Sequence, residues 1–168
     1  MLTADIVCFP NNVVNVLATR YKQYFDDIDP SGDTIVIKRP VSSMDADQTI
    51  SVVPVDWGPV GEPEIGRKLN QYEPTVQGYT IMIQALINDA DEDRAIARHS
   101  LFSTLVRRML YRDQSLLTVL PQLKVTADGV TESLAKYGVR SQQFLVTNKD
   151  ASFQYLSVIE FRLETQTT

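Results

Sequence analysis

The chain holds one cysteine, one histidine and one tryptophan in 168 residues. Cys8 standing alone leaves no internal disulfide and no thiolate metal site, because either needs further cysteine or histidine beside it. His99 is too solitary for zinc, and any Ser–His–Asp system would have to be built on it. Ser100 and Ser103 lie too close to it along one helix to serve as its nucleophile. Basic charge is in deficit: 16 Lys and Arg against 21 Asp and Glu give a net charge of −5, with no basic block. A DNA- or RNA-binding face is therefore not expected. No apolar run approaches the ~20 residues that span a bilayer, so no membrane partner is expected. The opening MLTADIVCFP lacks the basic-then-apolar order of a secretion signal. Glycine is scarce as well, and Gly58, Gly61 and Gly66 do not stand between a strand and a helix at phosphate-loop spacing. These absences suit a protein assembled in a reducing cytoplasm, without cofactor or metal.

What is present is a patterned globular chain. A hydrophobic share of 43% and a charged share of 22% are ordinary for one domain, here residues 1–168, with a core of its own. Asn11 and Asn12 can cap a helix carrying Val13, Val14, Leu17, Tyr21, Tyr24 and Phe25 at helical spacing. Asp29-Pro30-Ser31-Gly32-Asp33 has the chemistry of the turn that ends it. Thr34 to Lys38 and Gln48 to Trp57 read as strands joined in a hairpin across Ser42 to Asp47. In the second strand Ile50, Val52, Val55 and Trp57 are the apolar candidates, and Pro54 implies a sheet edge or bulge. Val76 to Ile87 reads as a central strand, with Tyr79, Ile81, Ile83, Ala85 and Ile87 on one face and Thr80, Met82, Gln84 and Leu86 on the other.

Next comes a long amphipathic helix with Asp91, Glu92 and Asp93 in its opening turn and Arg107, Arg108 and Arg112 near its end, as the helix dipole favours. Leu101, Phe102, Leu105, Val106, Met109 and Leu110 form its expected buried stripe. His99 is in phase with Phe102 and Val106, and so reads as a partly buried structural residue. A short helical turn is expected within Ser115 to Leu123, stopped by Pro121. Val139 to Thr147 and Phe153 to Glu164 then form a last strand pair about the turn Asn148-Lys149-Asp150. In the final strand Phe153, Tyr155, Ile159, Phe161 and Leu163 point inward. The order α-β-β-β-α-β-β gives an α/β chain of the α+β kind: an antiparallel or mixed sheet flanked by helices.

Gly58 to Pro74, about 17 residues without a clear period, is longer than an ordinary connection. It carries Val60, Ile65, Leu69 and Tyr72 with no helix of its own to bury them. We read residues 57–74 as an arm that orders against a neighbouring subunit, with Trp57, Ile65, Leu69 and Tyr72 as interface anchors; the alternative is a surface excursion. Catalytic readings are weaker. Asp89, Asp91, Glu92 and Asp93 resemble a calcium cluster but lack the Gly and terminal Glu of a calcium-binding hand, and helix capping accounts for them. Asp56, Glu62, Glu64 and Lys68 depart from the spacing of metal-dependent nucleases, with Pro63 and Gly66 interrupting the strand that should present them. No enzyme is expected; a small metal-dependent hydrolase built on Asp56, Glu62 and Glu64 is kept as an alternative.

Three segments carry a resemblance. HSLFSTLVRRMLYRD (His99 to Asp113), YGVRSQQFL (Tyr137 to Leu145) and FQYLSVIEFRLET (Phe153 to Thr165) resemble the tail terminator proteins of long-tailed, siphovirus-type bacteriophages, most of all those of phages infecting actinobacteria. The likeness runs from about Glu73 onward. It implies a sheet flanked by helices, a homo-hexameric ring on the last ring of the tail tube, an end to tube polymerisation and a docking surface for the head. The implied partners are further copies of this chain, the major tail tube protein and the head-tail stopper or connector protein. Genomic DNA would pass the lumen without specific binding. The implied location is the tail-neck junction of the virion, reached from the host cytoplasm. Another neck or tail-completion protein is the structural alternative.

Overall fold

The computed structural model describes residues 8–30, 32–42, 45–59, 76–127, 129–149 and 152–167, with side chains described except at 56–59 and 140–149. Helix α1 (Phe9–Ile28) begins earlier than the two asparagines predict. Cys8 is its N-cap, with no side-chain cap bond, and Pro10 stands in the first turn. Proline suits that position because the first N–H groups of a helix have no partner within it. The helix buries Phe9, Val13, Val14, Leu17, Ala18, Tyr21 and Phe25, and the turn after it is closed by the Gly32 N–H on the Asp29 carbonyl.

Strands β1 (Ile35–Ile37) and β2 (Gln48–Pro59) are parallel, not the hairpin expected of them. The physical reason is the path between them. The Val41 N–H donates to Gln84 Oε1 and the Ser51 hydroxyl to the Arg39 carbonyl, so the connection crosses the sheet face opposite the helices. The chain therefore re-enters the sheet running the same way. In β2 a register shift falls at Val55, between Pro54 and Asp56, and this apolar candidate is 49% exposed. Proline's missing N–H explains why the irregularity falls there.

Strand β3 (Val76–Asp89) lies between β2 and β6 (Ser152–Thr167), antiparallel to both. Opposite β3's Tyr79, Ile81, Ile83, Ala85 and Ile87 in β6 stand Leu163, Phe161, Ile159, Ser157 and Tyr155. All ten are buried, and they are the floor of the core. The other face of β3 is covered in part, since Thr80, Gln84 and Leu86 are also buried. Helix α2 (Glu92–Arg112) packs over β3 and β6, followed by α3 (Gln114–Val119) and a 3-10 turn at Leu120–Gln122 that contains Pro121. Of its expected stripe, Phe102, Val106, Met109 and Leu110 are buried, Leu105 is half-buried and Leu101 is 62% exposed; Ala95 and His99 are buried as well.

A strand that the periodicity did not announce, β4 (Lys124–Ala127), turns back into β5 (Val130–Lys149) through Gly129, whose φ of +79° is the left-handed conformation glycine adopts freely. The sheet order is β1-β2-β3-β6-β5-β4, mixed in direction. The chain is thus an α+β fold with helices flanking a curled sheet.

Helices α1 and α2 run antiparallel. The Tyr21 hydroxyl donates to the Val106 carbonyl at 2.9 Å, the Phe25 and Phe102 rings meet edge-on at 5.1 Å, and Arg20 reaches Asp113 at 2.8 Å. No helix among the described residues is long and apolar enough to cross a membrane.

Candidate functional site

Of the four anchors proposed from sequence, one lies among the described residues. Trp57 lies in β2 with its Cα opposite Tyr79, two residues before the strand ends at Pro59. Ile65, Leu69 and Tyr72 lie outside the described residues, as do Glu62, Glu64 and Lys68 of the nuclease-like reading, and Asp56 is placed by its backbone alone, opposite Thr80. What is described is the root from which residues 60–75 depart. Phe9 stacks on Tyr79 at 6.1 Å, and the Tyr79 hydroxyl donates to Glu132 at 2.6 Å. The Thr165 hydroxyl donates to the same carboxylate oxygen at 2.5 Å. Burial first, and then the Glu132 carboxylate, push the Tyr79 phenol upward, so it stays a neutral donor. The root is a fixed junction of α1, β3, β5 and β6.

Two polar clusters lie elsewhere. His99 in α2 and Ser157 in β6 are both buried, with His99 Nε2 and Ser157 Oγ 2.8 Å apart. Sequence reasoning placed His99 correctly but passed over Ser157, although it stands at an inward position between Tyr155 and Ile159. A hydroxyl in a core row is the signal that a polar partner lies above it. A serine beside a histidine suggests a nucleophile, but neither group reaches the surface, so the pair joins helix to sheet. Burial holds the imidazole below its ordinary value, in the neutral form.

Asp89, at the end of β3, accepts from Arg94 and Arg98 of α2 and from the Asp91 N–H. These donors, Arg94 foremost, hold its carboxylate well below the usual range. The acid-rich stretch read as capping behaves so: the Asp91 side chain caps α2 by accepting from the Arg94 N–H, while Asp89 clamps the helix start to the strand end. Among the described residues no three His, Cys, Asp or Glu side chains gather as metal ligands.

Acid sensitivity follows with a definite sign. The His99 value in the folded protein lies below the ordinary 6.5, so the unfolded chain takes that proton first and stability falls as pH drops through that value. The lowered Asp89, Asp113 and Asp45 carboxylates add a further loss once pH falls below their ordinary 3.8. Thermal midpoints read from pH 8 to pH 3 should decline in two stages, and a His99→Gln variant should lose the upper stage. A midpoint flat across that range would contradict both assignments.

No family model matches the chain, and no curated protein sequence matches it. Among solved structures that align with it, one is 10% identical and covers 94% of this chain and 95% of its own. Its TM-score of 0.39 is too low to support an argument about fold or activity.

Proposed function

We propose that the chain is a virion structural protein that forms a ring at the head-proximal end of a phage tail tube, ends tube polymerisation and offers the docking surface for the head-tail connector. The observation that carries this reading is where the three resembling segments fall. His99 to Asp113 covers most of α2 and the cap of α3, Tyr137 to Leu145 lies in β5, and Phe153 to Thr165 is nearly all of β6. β5 and β6 pair antiparallel along most of their length, and α2 packs on β6 through His99 and Ser157. The likeness thus covers one contiguous block of the fold instead of three scattered pieces.

The physics of a ring suits the rest. A closed ring of identical subunits needs two different patches, each meeting the other on the next copy. We read residues 57–74 as an arm that reaches the neighbouring copy, with Trp57, Ile65, Leu69 and Tyr72 as contacts. The ring is a hexamer by the resemblance, bound on one side to the tail tube protein and on the other to the stopper or connector. Genomic DNA crosses its lumen without specific binding, which the acidic balance favours because carboxylates repel phosphate. In this reading the chain carries no catalytic activity.

Gold-labelled antibody against the chain, applied to intact and to head-stripped virions, tests the location. Label confined to the head-proximal tip of the tail agrees with the proposal. Label along the tube, on the capsid, or absent from virions contradicts it.

A further inference from the structure

The outward side of α2 carries a line of exposed residues: Ala97, Leu101, Thr104, Arg108 and Tyr111, spaced four, three, four and three apart. The buried line Ala95, His99, Phe102, Val106 and Met109 has the same spacing and is displaced from it by two positions, about 200° round the helix. Leu101 at 62% and Tyr111 at 55% are among the most exposed large apolar side chains of the chain. Arg108 stands between them on this line, and Arg107 and Arg112, both exposed, flank its C-terminal half. An isolated exposed leucine needs no explanation, but an apolar and basic stripe opposite the core does.

A matching surface exists on the same chain. The last turn of α1 reads Asp26-Asp27-Ile28, followed by Asp29, and Ile28 is 49% exposed. These carboxylates stand at the negative end of the α1 dipole, and no basic residue occupies that last turn. Lys22, one turn back, pairs with Asp26, and Asp27 beside it is exposed. An isolated helix disfavours acids there, by a few tenths of a kcal/mol each, whereas α2 obeys the rule at both ends. Cations from outside the helix would relieve that cost. Within one molecule the tip cannot reach its own stripe, because α1 lies against the buried side of α2 through Phe25 and Phe102.

We infer that the outer stripe of α2, centred on Leu101, Arg108 and Tyr111, docks the Asp26–Asp29 tip of α1 from a second copy of this chain. Carboxylates meet guanidiniums, and Ile28 packs against the exposed leucine and tyrosine. Since the two surfaces differ, the contact repeats head to tail, as a ring demands; the proposal rests on the ring reading for its purpose but not for its test. Nucleic acid is the less suitable occupant, because phosphates offer nothing to Leu101 and the chain is acidic overall.

A charge swap on the full chain decides it, using Arg108→Glu and Asp27→Arg, both at exposed positions, with circular dichroism confirming each fold. Sedimentation velocity of the wild type at about 50 mM salt should show oligomers that dissociate at about 500 mM, where charges are screened within a few ångströms. Each variant alone should sediment as a monomer. An equimolar mixture should recover oligomers, because contacts between the two altered surfaces again pair opposite charges. A wild type that stays monomeric throughout, or either variant assembling as well as wild type, overturns the contact. Binding of duplex DNA by the wild type, lost in Arg108→Glu with no self-association, reassigns the stripe to nucleic acid and likewise overturns it. Variants that still assemble, from a chain that gold-labels the tail tip, would sink this contact and leave the ring reading standing.

Discussion

Phe102→Ala should lower the thermal midpoint by about 10 °C, the largest effect expected of any single substitution in α2. The residue is buried at 3% exposure, meets Phe25 edge-on, and sits where α1 and α2 cross above the sheet. Truncating a buried phenylalanine costs about 3–5 kcal/mol, from lost transfer energy and the cavity left behind. For a domain of this size each kcal/mol is roughly 2–4 °C. Leu101→Ala, one position along, should change the midpoint by under about 2 °C, since surface substitutions stay within ~0.5 kcal/mol. Differential scanning calorimetry of the two variants side by side separates the buried line from the exposed one. Equal losses, or none from Phe102, would mean the helix is rotated from the position described.

Asp113→Ala should be nearly as damaging for a different reason. One oxygen of this carboxylate accepts from the Leu116 N–H and caps α3, while the other takes Arg20 at 2.8 Å. The carboxylate is only 5% exposed, so Arg20 would be left over a pocket it no longer fills. The buried Arg20 Nε has no hydrogen-bond partner among the described residues, which leaves that guanidinium more dependent on Asp113. Losing a cap costs about 0.5–2 kcal/mol, and unpairing a partly buried ion adds to it, so about 2–4 kcal/mol is expected together. Asp113→Asn keeps the cap and drops the charge. It should retain about half of the stability lost by alanine, as read from urea denaturation. If asparagine and alanine lose the same amount, the ion pair carries the effect and the cap contributes little.

Much of the fold was legible because period and burial agreed. The inward rows of β3 and β6 and the core line of α2 follow directly from alternation in the strands and from helical spacing. Where the reading failed, something non-local intervened. Leu101 neighbours Phe102 in sequence, but a helix lying on a sheet buries a narrower line than a wide apolar stripe suggests. Val55 is apolar but stands out of phase with Ile50 and Val52, and the irregularity between Pro54 and Asp56 leaves it exposed. The parallel pairing of β1 and β2 goes with Arg39 and Val41 lying across the far face, which no local pattern encodes. The β4–β5 turn was legible and was missed: Asp128-Gly129 is a strong hairpin signal. At the candidate site, polar residues at core positions in two elements, His99 and Ser157, stood ready to be paired. Of the four arm anchors, only Trp57 falls within the described strands. Ile65, Leu69 and Tyr72 remain assignments from sequence.

The central claim is that this chain ends a tail tube. Electron microscopy of lysates from a phage carrying a stop codon in this gene tests it most directly. Overlong tubes beside DNA-filled, tailless heads are the predicted result. Tails of normal length that fail to join heads would give the chain another role in the neck, and intact infectious virions would contradict a structural role altogether.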